Sequence, residues 1–160
     1  MIRLFVTGGT FDKTYDEISG TLVLGDSHVP EMLRLGRSQV EVAVRTLMMV
    51  DSLDISDADR QLIAHNCAQC NESHVVVTHG TDTMVETAGV IAGAVKGKTV
   101  VLTGAMIPYA FGSSDGLFNL GSALSFAQAL PPGVYIAMNG QAFDWDKVRK
   151  NRDTGTFEPL

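Results

Sequence analysis

Three short stretches carry residues that could do chemistry. FVTGGTFDKTY (5–15) sets Thr7 and Thr10 around the pair Gly8-Gly9, with Tyr15 five residues after Thr10. VVVTHGTDT (75–83) puts Thr81 directly before Asp82, and GKTVVLTG (97–104) opens with a lysine, Lys98. A threonine hydroxyl is a weak nucleophile at neutral pH, so it needs a group that takes its proton and donors that receive the oxyanion. A lysine drawn into a partly buried strand end loses hydration and its pKa falls, so it can serve as that base. Plainer readings stand beside these: Thr81, Asp82 or Thr83 caps a helix, Lys98 is a solvated lysine starting a strand, and Tyr15 is a loop aromatic. Phosphate binding is disfavoured, because TGGTFDKT has neither the G-x-x-x-x-G-K-[ST] nor the G-x-G-x-x-G spacing. A two-glycine turn can still press backbone amides and a following hydroxyl toward a ligand.

The two cysteines form CAQC (67–70), with His65 and His74 nearby, on paper a zinc or redox motif. The pair falls at the end of a helical stretch, where the dipole disfavours a thiolate, and one tight segment would have to fold back sharply to offer zinc four ligands. Two reduced structural cysteines are expected, with no metal or cofactor. Twelve basic against eighteen acidic residues give a net charge of -6 and a pI near 5.0, a field that repels nucleic acid and anionic membrane surfaces. The N-terminus lacks a full signal-peptide h-region, and no apolar run reaches the length of about 18 residues that a membrane span requires, so a cytoplasmic protein is expected.

These loops must be positioned by regular elements. Apolar, β-branched runs recur at IRLFV (2–6), VEVAVRTLMMV (40–50), HVVVTH (74–79), TVVLTG (99–104) and VYIAM (134–138). Their near-continuous apolarity is that of strands buried on both faces, and helical spacing fills the intervals at 56–67, 83–95 and 115–130. The alternation predicts one α/β domain of 160 residues: a doubly wound, mostly parallel, Rossmann-like sheet flanked by helices on both faces. Thr83 and Glu86 have capping-box spacing, Asp115 can cap the third helix, and Pro131-Pro132-Gly133 stops it. Segment 11–39 reads as a hairpin or active-site loop with a short helix at PEMLRL, and the last twenty residues read as a polar tail without a strand signal. Ligands of open α/β sheets bind beyond the carboxyl ends of the strands. Attention therefore falls on GGT, DSLD, HGTDT and GAMIP.

TGGT, HGTDTM, GKTVVLTGAMIP and SDGLFNL together resemble the bacterial L-asparaginases, the asparaginase/glutaminase family, over essentially the whole chain. The resemblance implies a small-molecule substrate, L-asparagine or also L-glutamine, hydrolysed to L-aspartate and ammonia through a threonine nucleophile and a covalent acyl-enzyme. It implies Thr10 as that nucleophile, Tyr15 as the residue orienting it, and Thr81, Asp82 and Lys98 as a second catalytic constellation. Gly9, Asp51, Ser52, Gly80, Thr81 and Asp82 would line the substrate site, with Ser52 on the α-carboxylate and Asp82 on the α-ammonium. Tyr15 follows Thr10 closely for the family, and Leu53 stands where a polar residue is usual. The family's second domain is expected to be absent, so activity should be weak or relaxed unless a homodimer or larger homo-oligomer rebuilds the wall. A non-catalytic amino-acid-binding module, or a subunit of a larger assembly, is the alternative.

Overall fold

The computed structural model describes residues 1–160. In chain order the elements are β1 (Ile2–Gly8), β2 (Lys13–Asp16), β3 (Thr21–Leu24), α1 (Val29–Leu35), β4 (Val42–Val50), α2 (Asp57–Gln69), β5 (His74–Thr78) and α3 (Met84–Ala94). They continue with β6 (Thr99–Thr103), α4 (Gly116–Ala129), β7 (Gly133–Met138), β8 (Gln141–Asp144), β9 (Val148–Asn151) and β10 (Thr156–Pro159).

Six strands form one sheet in the order β4-β1-β5-β6-β7-β8, parallel except for β8, which runs antiparallel to β7. Strand alternation divides the apolar side chains between two cores. Phe5, Val75, Val77, Val100 and Leu102 point to one face and pack on Ile63 and Cys67 of α2 and on Met84, Ala88 and Ile91 of α3. Leu4, Val6, Val76 and Val101 point to the other and meet Met32 of α1 and Leu120, Ala123 and Ala127 of α4. This is the expected three-layer doubly wound domain, and both cores explain why the strands read as apolar throughout. None of its helices is long and apolar enough to cross a membrane.

Strand order reverses at β1, which has β4 on one side and β5 on the other. The crevice at a reversal is where the connecting segments diverge, and it opens here between the carboxyl ends of β4, β1 and β5.

One local expectation holds and two change. The segment after β1 is a β2–β3 hairpin followed by α1, the hairpin reading of 11–39. The tail is not strandless: it adds β8 to the sheet and then folds as a β9–β10 hairpin, whose Val148 and Phe157 reach the core. Its strands are four residues long and mostly polar, so they carry no periodic signal of their own. Helix capping differs too. Thr83 spends its hydroxyl on the carbonyl of Ser52 (2.8 Å), and Asp115 accepts the backbone N–H groups of Met106 (3.0 Å) and Ile107 (3.0 Å), so neither makes the expected cap. The capping box that does form joins Ser56 and Asp59 at the start of α2.

Candidate active site

Gly9 leaves the end of β1 with φ 82 and ψ −172, a conformation open essentially to glycine alone. Its N–H donates to the carbonyl of Val50 at the end of β4 (3.0 Å), so it is not a free oxyanion donor. A Cβ at Gly9 would lie 2.4 Å from the backbone nitrogen of Gly80, and one at Gly80 would lie 2.5 Å from the Ser52 side chain. Three loops thus touch, Gly9 against the Gly80 backbone and Gly80 against the Ser52 side chain. Thr10 and Thr81 each directly follow a glycine of that contact, so the geometry gathers Thr10, Ser52 and Thr81 at the strand-order reversal. Thr10, half-buried, begins a 3-10 turn, Thr10–Asp12.

Thr81 is buried, and its hydroxyl receives a hydrogen bond from Nζ of Lys150 (2.8 Å) while donating toward the sulfur of Met106 (3.6 Å). The same Lys150 reaches Oδ1 of Asp82 (2.9 Å), and a second cation, Arg152, binds that oxygen at 2.9 Å. Lys150 lies on β9 and Arg152 opens the turn that follows it, and both converge on Asp82, while Arg149 and Asn151 bind Glu158. The β9–β10 hairpin that delivers them is anchored. The buried Phe157 donates its N–H to Oδ1 of Asn139 (3.0 Å), and Asn151 holds the turn by accepting from Asp153 N–H (3.0 Å).

Lys98 does not belong to this cluster. Its ammonium donates to the carbonyls of Cys67 (3.0 Å), Ala68 (3.1 Å) and Cys70, closing the carboxyl end of α2. The reason is polarity of the sheet: Lys98 precedes β6, so it sits at the amino edge, while the site lies beyond the carboxyl edge, about 16 Å away at ~3.3 Å per residue along the strand. Lys150, hidden in a polar tail, is the lysine that reaches Thr81 and Asp82. CAQC falls at that amino edge as well, where burial pushes the Cys67 thiol up to about 12.

The remaining named residues sit around the crevice. Asp51 caps the 3-10 turn Ser52–Asp54 by accepting from Leu53 N–H (3.1 Å) and pairs with Lys13 at 2.5 Å, and that lysine holds the carboxyl below its ordinary range. The pair ties the base of the β2–β3 hairpin to the site. Tyr15, 58% exposed, shares a hairpin face with Lys13 by strand alternation, but its ring is held by little.

Two buried residues escaped the sequence reading. His79 is fully buried; its Nδ1 donates to the carbonyl of Gly80 (2.7 Å), which can only accept, so Nε2 must accept from the Thr87 hydroxyl (2.8 Å). Burial depresses its pKa to about 4, and the neutral ring splints the Gly80 turn. Asp12 is also fully buried: Oδ1 accepts the His28 N–H (2.8 Å), Oδ2 has no partner, and burial raises the carboxyl above its ordinary value. The largest cleft, about 420 Å³ lined by His28, Glu31, Tyr109 and Ser114, does not include Thr10 or Thr81. The site itself is an open crevice.

Residues 1–158 match the family model "Asparaginase, N-terminal". The L-asparaginase of Thermococcus kodakarensis is 28% identical over 154 residues, covering 93% of this chain and 47% of that protein. L-asparaginase 1 of Escherichia coli K12 is 34% identical over 164 residues, covering 96% and 48%. Among solved structures, the thermostable T. kodakarensis L-asparaginase superposes with a TM-score of 0.87 over 99% of this chain and 51% of its own, at 28% identity. A probable cytoplasmic L-asparaginase from Campylobacter jejuni gives 0.85 over 99% and 52%, at 29% identity. The chain spans about half the length of the relatives it matches. It belongs to the asparaginase family, by a match to that family's N-terminal domain.

Proposed function

We propose that the chain is an amidohydrolase that converts L-asparagine to L-aspartate and ammonia. In this reading the Thr10 hydroxyl attacks the side-chain amide carbon. Its proton passes through the Thr81–Lys150–Asp82 cluster to the amide nitrogen, the C–N bond breaks, and ammonia leaves a threonyl ester. Water then attacks the ester carbon, the carboxylate departs as aspartate, and the Thr10 hydroxyl regains its proton. The carbonyl oxygen needs backbone donors other than Gly9 N–H, which is committed to Val50. Ser52 and Asp82 meet the substrate's polar end, and Tyr15 orients Thr10 when the hairpin lies over the crevice.

The observation that carries this reading is the contact of Lys150 with both Thr81 and Asp82 beside the Gly9–Gly80 junction. Ammonia release from asparagine by purified protein, Thr10→Ala, Thr81→Ala and Lys150→Met tests it. Release by the wild type that falls to background in all three is expected; equal release by all four refutes it.

A second reading rests on the openness of the crevice, since the largest cleft leaves out Thr10 and Thr81: a module that binds the amino acid without turnover, or a subunit of a larger assembly. Saturable asparagine binding in titration calorimetry without ammonia release selects it. Leu53, Met106, Ile107 and Phe111 form an exposed apolar rim on the loops at the crevice end of the sheet. That rim favours a homodimer or larger homo-oligomer. A monomer by light scattering counts against it.

A further inference from the structure

A thioether stands against the Thr81 hydroxyl. The sulfur of Met106 lies 3.6 Å from it as its acceptor, while Nζ of Lys150 donates to the same hydroxyl from 2.8 Å. Sulfur accepts weakly, so the Thr81 proton is held loosely and stays free to move within the Thr81–Lys150–Asp82 cluster. Exposure also sets Met106 apart. Of the seven methionines, Met32, Met84 and Met138 are fully buried and Met48 and Met49 half-buried; only Met1 and Met106 are exposed, at 60% and 38%. Met1 precedes β1 at the amino edge of the sheet, about 23 Å from the carboxyl end of that strand at ~3.3 Å per residue.

The Met106 side chain is held at both ends. Its backbone N–H donates to the two carboxylate oxygens of Asp115 (3.1 and 3.0 Å). Its terminal methyl rests beside the Gly155 turn, where an added Cβ would lie 3.2 Å from it. What the sulfur offers to the crevice is its lone pairs, one of them toward Thr81. Any path that brings asparagine to Thr81 also brings a smaller molecule to that sulfur, so a second copy covering the apolar rim would leave it within reach.

We infer that Met106 is an oxidation site through which a hydroperoxide lowers the activity of the crevice. The inference rests on the amidohydrolase reading above and names a control on its site. A lone pair of the sulfur attacks the hydroxyl oxygen of the hydroperoxide and the O–O bond breaks. The departing oxygen takes that hydroxyl's proton and leaves as water or an alcohol, so the sulfur is oxidised to a sulfoxide and the peroxide reduced, with no further reactant. The sulfoxide oxygen is a strong acceptor where a weak one stood. It holds the Thr81 proton and competes with Asp82 for the ammonium of Lys150, so the proton path that the reaction uses is blocked.

Hydrogen peroxide is the probe. Ammonia release from asparagine is measured before and after treatment in the wild type and in Met106→Leu, each against its own untreated rate, and peptide mass spectrometry locates every added oxygen. Wild-type release should fall about tenfold or more in step with the oxygen gained by Met106, and return when methionine sulfoxide reductase removes it. Met106→Leu, which conserves volume, should keep its untreated rate although Met1 is oxidised. The reductase reversal reads the same effect without any substitution. Full release with Met106 oxidised, a Met106 that resists while Met1 reacts, equal inactivation of Met106→Leu, or recovery by a thiol reductant alone overturns the inference and leaves the amidohydrolase reading standing. No release before treatment overturns that reading instead, and titration calorimetry of asparagine into Thr10→Ala then decides for Met106. Affinity lowered about tenfold by its oxidation and restored by the reductase keeps the oxidation site as a control on binding; affinity unmoved by oxidation, or no binding in either form, overturns it.

Discussion

Replacing Gly9 by alanine tests the junction on which the site depends. A Cβ there would stand 2.4 Å from the backbone nitrogen of Gly80, about 1 Å inside the 3.4 Å at which ordinary contact begins. The obstacle is backbone, so no side chain can swing aside. At φ 82 and ψ −172 the residue also occupies a glycine-only region, whose strain for alanine is of order 1–3 kcal/mol. Strain and clash together should cost about 3 kcal/mol, a fall in Tm of roughly 6–12 °C for a chain of this size. If the turn instead yields by about 1 Å, Thr10 is displaced from Thr81 by a similar distance, enough to lower amide hydrolysis by about 100-fold. Thermal unfolding and ammonia release measure the two outcomes. Gly93 supplies the control: it lies exposed on α3 with nothing within 4 Å of an added Cβ, so alanine there should stabilise by about 0.5–1 kcal/mol. If Gly9→Ala melts within about 2 °C of the wild type and keeps its full rate, the close junction is not what holds the site together.

Lys98→Met should lose about 1–3 kcal/mol of stability, because the carbonyls closing α2 lose their donor, yet retain the substrate affinity that Lys150→Met alters; denaturant melts and ligand titration separate the two lysines. Asp12 has a folded pKa above its ordinary 3.8, so the stability linked to its proton is present at acid pH and is lost as pH rises through the folded value. Asp12→Asn keeps an acceptor for the His28 N–H and removes the buried charge, so its advantage over the wild type in urea melts should grow from acid to neutral pH. His79 has the opposite sign: its pKa falls from 6.5 to about 4, so its contribution is present above 6.5 and drains as pH falls toward 4, on the order of 3 kcal/mol in full. His79→Gln should flatten that acid limb, and an unchanged limb would show that the ring is not held neutral by burial.

The five parallel strands and the four helices, the short α1 included through PEMLRL, were legible because each carries its own apolar pattern: Val75, Val76 and Val77 are buried on alternating faces, so no polar residue interrupts them. The loops TGGT and HGTDT were legible as a site because, in a parallel sheet, both follow strands and must emerge at one edge. The strands of the tail were not legible. Val148–Asn151 and Thr156–Pro159 are four-residue segments that become strands only through each other across a turn.

That difference decided the lysine. Lys98 and Lys150 are equally available in sequence, and proximity to an apolar strand favoured the first. Strand direction then placed Lys98 at the amino edge among the carbonyls of α2, while the β9–β10 hairpin, pinned by Phe157 and Asn139, returned Lys150 and Arg152 to Asp82. The layers, the alternation of strands and helices and the glycines that let three loops meet were written in local pattern and backbone freedom, whereas the strand order came from the fold. Which cations complete the site was decided only by tertiary structure, because an ion pair between residues 68 positions apart, such as Lys150 and Asp82, leaves no periodic trace in the chain that makes it.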